Sequence, residues 1–121
     1  KKVCNEHISV VDDGTIPFNR GSVNFDDEGI EGQKTYIVKE GILTSYLHDR
    51  ISAKHYGIPS TGNGRRESFR QMPIPRMRAT YMEAGNVTEE EMISTVKKGI
   101  YASRASPTGK YRSVRATSPS S

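Results

Sequence analysis

The chain has a single cysteine, Cys4, no tryptophan and only two leucines, Leu43 and Leu47. One cysteine excludes an internal disulfide and says nothing about redox compartment. No apolar run approaches the ~18 residues of a membrane-spanning helix, and no signal-peptide pattern opens the sequence, so no membrane role is expected. Ile, Leu, Val and Phe together supply 23 of 121 residues, too few for a large core. That supply suits a disordered chain, or a segment that leans on missing neighbours. The first residue is Lys rather than Met, which fits a piece of a longer protein, and the length allows one domain at most.

Acid is absent from one end. Residues 103–121 carry Arg104, Lys110, Arg112 and Arg115 and no carboxylate, whereas residues 1–102 hold 14 basic and 14 acidic side chains. The whole net charge of +4 therefore belongs to the tail. A nucleic-acid reading of the body from its net charge is excluded.

What is abundant is Val and Ile, 18 residues together, a bias towards strands. Ile8-Ser9-Val10-Val11 reads as a short strand that ends in a turn at Asp12-Asp13-Gly14. Val23-Asn24-Phe25 reads as another, stopped by Asp26-Asp27-Glu28-Gly29. That acidic run lacks the spacing of a calcium loop and reads as an exposed turn, with pairing to Arg20 or to later arginines as an option. The clearest hairpin spans 35–47, with Lys39-Glu40-Gly41 as a three-residue loop bearing a bulge. A period change predicts a short helix over 48–56, stopped by Gly57 and Pro59. His48 and His55 could share a face of it, but two histidines lack the third ligand that zinc wants. Pro73 and Pro75 enforce an extended path, followed by a strand over 77–82. Thr88-Glu89-Glu90-Glu91 is a capping box, and it opens a longer helix predicted over 89–98 and ended by Gly99. The expected fold class is α+β, mainly antiparallel strands with one short and one longer helix.

The most unusual stretch is Pro59-Ser60-Thr61-Gly62-Asn63-Gly64-Arg65-Arg66-Glu67-Ser68. Gly62, Asn63 and Gly64 all tolerate left-handed backbone. Backbone N–H groups beside the Arg65 and Arg66 guanidinium groups suit a carboxylate or phosphate. A solvated loop whose arginines pair with Asp26, Asp27 or Glu28 is the plainer reading. We take Asn63, Arg65, Arg66 and Glu67 as candidate substrate-binding residues. A competing function is a binding module that uses the stretch 65–78 for nucleic acid or another anion. It holds Arg65, Arg66, Arg70, Arg76 and Arg78 against one acid, Glu67, with Phe69 as its only aromatic.

Thr61-Gly62-Asn63-Gly64-Arg65-Arg66-Glu67-Ser68 resembles the signature of the TldD/PmbA family, once called modulators of DNA gyrase. The resemblance extends upstream through Val11-Asp12-Asp13-Gly14-Thr15, Arg20-Gly21-Ser22 and Asp26-Asp27-Glu28-Gly29. It continues through Pro73-Ile74-Pro75-Arg76-Met77 to Gly99-Ile100-Tyr101-Ala102, and is closer to the TldD side. Residues 1–102 then form a central segment of a larger TldD/PmbA-type domain. Residues 103–121 form an unmatched Ser/Arg-rich tail: disordered, a cloning scar or out-of-frame translation, the last two fitting the abrupt stop best.

The resemblance implies a cytoplasmic, zinc-dependent metallopeptidase acting on peptides or unfolded proteins, with a PmbA-type partner subunit or a homo-oligomer. The family's metal site uses a His-Glu-x-x-x-His helix and a distant cysteine. Neither is found here: Glu6-His7 is in the wrong order, and Cys4 lies before the segment where the ligand cysteine follows it. No catalytic or metal residue is carried over, and this segment alone is expected to be inactive and zinc-free. No nucleophile elbow, Walker loop or dinucleotide fingerprint is present.

Overall fold

The computed structural model describes residues 1–97. It divides into two compact units, Lys1–Ala84 and Gly85–Ser121, the second described only as far as residue 97. The first unit is built on a four-stranded antiparallel sheet in the order β3-β2-β1-β6. Its strands are β1 (Val10–Asp13), β2 (Lys34–Lys39), β3 (Ile42–Leu43) and β6 (Thr80–Met82). Between β3 and β6 come helix α1 (Arg50–Tyr56) and a two-stranded ribbon of β4 (Gly64–Arg65) and β5 (Ile74–Pro75). The second unit holds helix α2 (Glu89–Ser94). The architecture is α+β, with antiparallel pairing throughout. No helix among the described residues is long and apolar enough to cross a membrane.

The central strand β1 pairs on both sides, Val11 opposite Tyr36 and Tyr81. It contains Asp12 and Asp13, which by composition belong in a turn. A carboxylate survives in a central strand only where donors surround it. Asp12 is 1% exposed and accepts from the Arg78 amide, the Thr80 hydroxyl and the Asn63 amide group. Among the described residues three apolar side chains are buried, Val11, Val38 and Ala53, against seven polar or charged ones. The interior of this segment is thus organised by hydrogen bonds more than by apolar packing, as the scarce Leu and Phe foreshadow.

The hairpin is tighter than its sequence suggests. Lys39 pairs with Ile42, leaving a two-residue loop in which Glu40 and Gly41 both have positive φ, 49° and 74°. That is the twist-matched geometry of a type I′ turn rather than a three-residue loop with a bulge. Gly41 is required for a second reason: a Cβ there would lie 2.7 Å from the Cys4 and Asn5 carbonyl oxygens. The second strand stops at Leu43, because the Thr44 hydroxyl turns back onto the Tyr36 and Ile37 carbonyls. Glu40 carries the left-handed strain without a glycine. Glu40→Asn is expected to raise stability by about 1 kcal/mol, read as a higher urea midpoint at unchanged slope.

Both helices begin at capping boxes. Asp49 accepts from the Ser52 amide at 2.7 Å, and Gly57 closes α1 in the left-handed conformation. His48 precedes this cap and is 3% exposed, while His55 is exposed, so the two do not form a shared helical pair. At α2 the Thr88–Glu91 box forms as its sequence predicts. The helix ends at Ser94 rather than near residue 98. The Ser94 and Thr95 hydroxyls bond the Glu91 and Met92 carbonyls, a local competition that terminates helices. The predicted stop at Gly99 lies outside the described residues.

Candidate functional site

The loop 59–68 runs from the end of α1 into β4. Its first half is interior: Thr61, Gly62, Asn63 and Gly64 are buried. Thr61 is bound to His48 through three contacts, its own amide and hydroxyl to the His48 carbonyl and the His48 amide to its Oγ1. Gly62 has φ +70° and passes close against the Glu31 carbonyl. Asn63 is 1% exposed, and its Nδ2 donates to Asp12 Oδ2 at 2.7 Å and to the Arg76 carbonyl at 3.0 Å.

The acidic run that reads as an exposed turn is what holds this loop. Asp26 is 6% exposed. Its Oδ1 accepts from the Glu28 and Ile30 amides, closing a turn through Gly29 at φ +77°, and its Oδ2 accepts from the Gly64 amide at 3.0 Å. Asp27 Oδ2 accepts from the Arg66 amide at 2.7 Å, and the Asp27 amide donates to the Gly64 carbonyl. Glu28 Oε2 accepts from the Arg50 amide in the first turn of α1. The pairing between acids and arginine loop therefore exists, but through backbone amides and not guanidinium groups. Sequence pattern could have signalled it only through three acids beside a glycine, which marks a turn far more often than an anchor.

Beyond Gly64 the loop turns outward. Arg65, Arg66 and Glu67 are exposed, and among the described residues neither guanidinium group makes an ion pair or hydrogen bond. Of the four candidate residues, the structure thus places three at the surface. Asn63 is committed internally, so it positions the loop. Arg78, in contrast, is half-buried: Nη2 donates to the Gly64 carbonyl at 3.2 Å, while Nε has no partner.

Asp13, next to Asp12, is held by Thr15, whose hydroxyl and amide donate to Oδ1 at 2.6 and 2.8 Å. The hydroxyl bond, opposed by burial, keeps the Asp13 carboxyl below its usual range. A depressed carboxyl contributes stability above its unfolded pKa of about 3.9, and that contribution is lost as pH falls through the folded value. Thr15→Val is expected to move the Asp13 midpoint upward in a carbon-detected NMR titration; an unmoved midpoint would contradict this assignment.

Comparison with known proteins places these features. A family model described as the PmbA/TldA metallopeptidase C-terminal domain matches residues 1–116. The chain is 48% identical over 102 residues to a metalloprotease TldD homolog of Buchnera aphidicola, covering 84% of this chain and 21% of that protein. It is 35% identical over 102 residues to a zinc metalloprotease TldD homolog of Saccharolobus solfataricus, covering 84% of this chain and 23% of that protein. Among solved structures it is similar to TldE of Thermococcus kodakarensis, with TM-score 0.67 and 28% identity over 82% of this chain and 22% of that one. It is also similar to a Thermotoga maritima protein that bears the name of a DNA gyrase modulator, with TM-score 0.68 and 26% identity over 83% of this chain and 22% of that one. The chain spans about a fifth of the length of the curated relatives it matches.

Zinc appears in the name of one relative, and the residues described here do not fit it. Among them, no group of three or more His, Cys, Asp or Glu side chains is arranged to hold a metal ion.

Proposed function

Because the chain belongs to the PmbA/TldA metallopeptidase family, in its C-terminal domain, we propose that it is a segment of a TldD-like zinc-dependent metallopeptidase acting on peptides or unfolded proteins. In this reading Arg65 and Arg66 bind an anionic group of the substrate, with Glu67 beside them. The observation that carries it is the division of labour within one loop. The backbone from Thr61 to Arg66 is tied down by Asp26, Asp27 and His48, while the two guanidinium groups stay exposed and without an acid partner among the described residues. An ordered backbone presenting two rigid forks suits bidentate capture of a carboxylate. The metal ligands would lie in other parts of a longer protein, so residues 1–97 supply positioning and no catalytic group. A PmbA-type subunit or a second copy would complete the assembly, in the cytoplasm. This segment by itself is expected to show neither stoichiometric zinc after dialysis nor chelator-sensitive peptidase activity.

The test uses the longer protein that carries this segment. Arg65→Lys with Arg66→Lys keeps both charges and removes both forks. Peptidase kcat/KM is expected to fall at least about tenfold, near 1.4 kcal/mol in the transition state, at unchanged Tm. A lower Tm with unchanged activity per folded molecule would reduce the loop to a structural clamp.

The nucleic-acid alternative finds less support. Phe69 is the only aromatic in the stretch 65–78, and the Arg70 guanidinium lies over its ring, 5.2 Å from the centroid. A face already occupied by a cation is a poor platform for stacking a base.

A further inference from the structure

We infer that the β4–β5 ribbon and its loop, residues 64–77, select peptide segments in which an acidic side chain adjoins an apolar one, and that they read side chains rather than main chain. This rests on the reading of the loop as a peptide-binding element and adds to it the class of peptide and the mode of recognition.

The mode follows from the edges of the ribbon. Arg65 pairs with Ile74, and the Arg76 amide donates to the Asn63 carbonyl at 2.9 Å. Alternate residues of an antiparallel strand direct N–H and C=O to opposite sides. Ile74 and Arg76 therefore face β4, and Pro73 and Pro75 face outward with no N–H to offer. On the opposite side, the Gly64 and Arg66 amides are taken by the Asp26 and Asp27 carboxylates, and the Gly64 carbonyl by the Asp27 amide. Both edges are closed, one by prolines and one by the acidic turn. The β5 edge offers carbonyls but no N–H and the β4 edge is taken, which disfavours adding an extended peptide as a further strand and leaves recognition to side chains.

The class follows from those side chains. Arg65, Arg66, Arg70 and Arg76 are exposed and make no ion pair among the described residues, and Glu67 is the one acid within the stretch 64–77 itself. Asp26 and Asp27 lie against this ribbon, but they spend carboxylate oxygens on its Gly64 and Arg66 amides and neither pairs with a guanidinium group among the described residues, so the four guanidinium groups remain available to an external carboxylate. Phe69 and Met72 are exposed between the arginines, at 83% and 69%. Lone exposed apolar residues mean little, but these two, with Ile74 and Met77 also exposed and the Arg70 guanidinium covering one face of the Phe69 ring, form a mixed surface with arginines that make no ion pair among the described residues. Its complement is a segment with carboxylate and apolar side chains side by side.

Fluorescence anisotropy on the intact polypeptide carrying this segment tests this, with chelator present so that binding alone is read. The probes are a short Glu/Leu peptide, its Gln/Leu counterpart and single-stranded oligothymidylate. The Glu/Leu peptide is expected to bind at least about tenfold tighter than the Gln/Leu peptide, with the preference shrinking as salt rises. Arg70→Gln with Arg76→Gln should reduce that preference without lowering Tm, adding Arg65→Gln and Arg66→Gln should remove most of it, and Met72→Ser should weaken both peptides alike. Equal affinity for the two peptides, or a preference untouched by the arginine changes, would overturn the inference. Tighter binding of oligothymidylate would overturn it in favour of a nucleic-acid face. Cleavage of both peptides in the absence of chelator, with no Glu preference, would sink this inference alone. A Glu preference without cleavage would sink the metallopeptidase reading and leave this one standing.

Discussion

Asn63→Asp is expected to destabilise the segment by about 3 kcal/mol or more at neutral pH, in the range seen when a buried charge loses its compensation. The wild-type amide donates to Asp12 Oδ2 and to the Arg76 carbonyl, both within 3.0 Å. The variant presents an acceptor to two acceptors, and a second carboxylate to Asp12, at two positions each 1% exposed. Asn63→Ala removes the same donor without adding charge and should cost less, about 1–3 kcal/mol. The two separate further by pH. Two carboxyls that cannot both ionise raise the folded pKa of the pair above the unfolded value of about 3.9. A raised folded pKa favours folding below the unfolded value and is lost as pH rises through the folded one. The Asp variant should therefore recover towards pH 4 and worsen above it, while the Ala variant shows no added dependence of that kind. Urea denaturation at several pH values reads both effects.

Gly62→Ala is expected to cost about 3 kcal/mol, and Gly29→Ala only about 1 kcal/mol, although both glycines have φ near +75°. The conformational cost of a Cβ in the left-handed region is common to both. The difference lies in what the Cβ would meet. At Gly29 nothing lies within 4 Å, whereas at Gly62 it would be driven into the Glu31 backbone carbonyl. Backbone cannot swing aside as a side chain can, so the loop itself must move, and with it Asn63 and Gly64. A matching loss in the two variants would mean that Gly62 is needed for its φ alone.

The elements that could be read from sequence are those whose causes are local. The capping box at Thr88, the left-handed stop at Gly57 and the extended path through Pro73 and Pro75 each depend on a few neighbouring residues, and each appears where pattern places it. The misread positions are those whose partners are distant in sequence. Asp12 and Asp13 carry the composition of a turn. They sit in the central strand because Asn63, Arg78, Thr80 and Thr15 supply their donors. Asp26 and Asp27 resemble solvated turn residues for the same reason, since their amide partners lie about forty residues on, at Gly64 and Arg66. In the candidate loop, Gly62-Asn63-Gly64 and the two arginines stand out by themselves. Only the fold distinguishes Asn63, which is spent on Asp12, from Arg65 and Arg66, whose side chains are exposed and without an ion pair among the described residues.

Native-state hydrogen exchange at the Gly64 and Arg66 amides distinguishes a loop held by its backbone from one held by its arginines. If Asp26 and Asp27 hold it through those amides, both are protected in the wild-type protein. Protection should be lost at Gly64 in Asp26→Ala and at Arg66 in Asp27→Ala, and should be unchanged in Arg65→Gln with Arg66→Gln. Exchange at unprotected rates in the wild type, or accelerated exchange on removing the two guanidinium groups, would contradict a backbone-anchored loop with its arginines free.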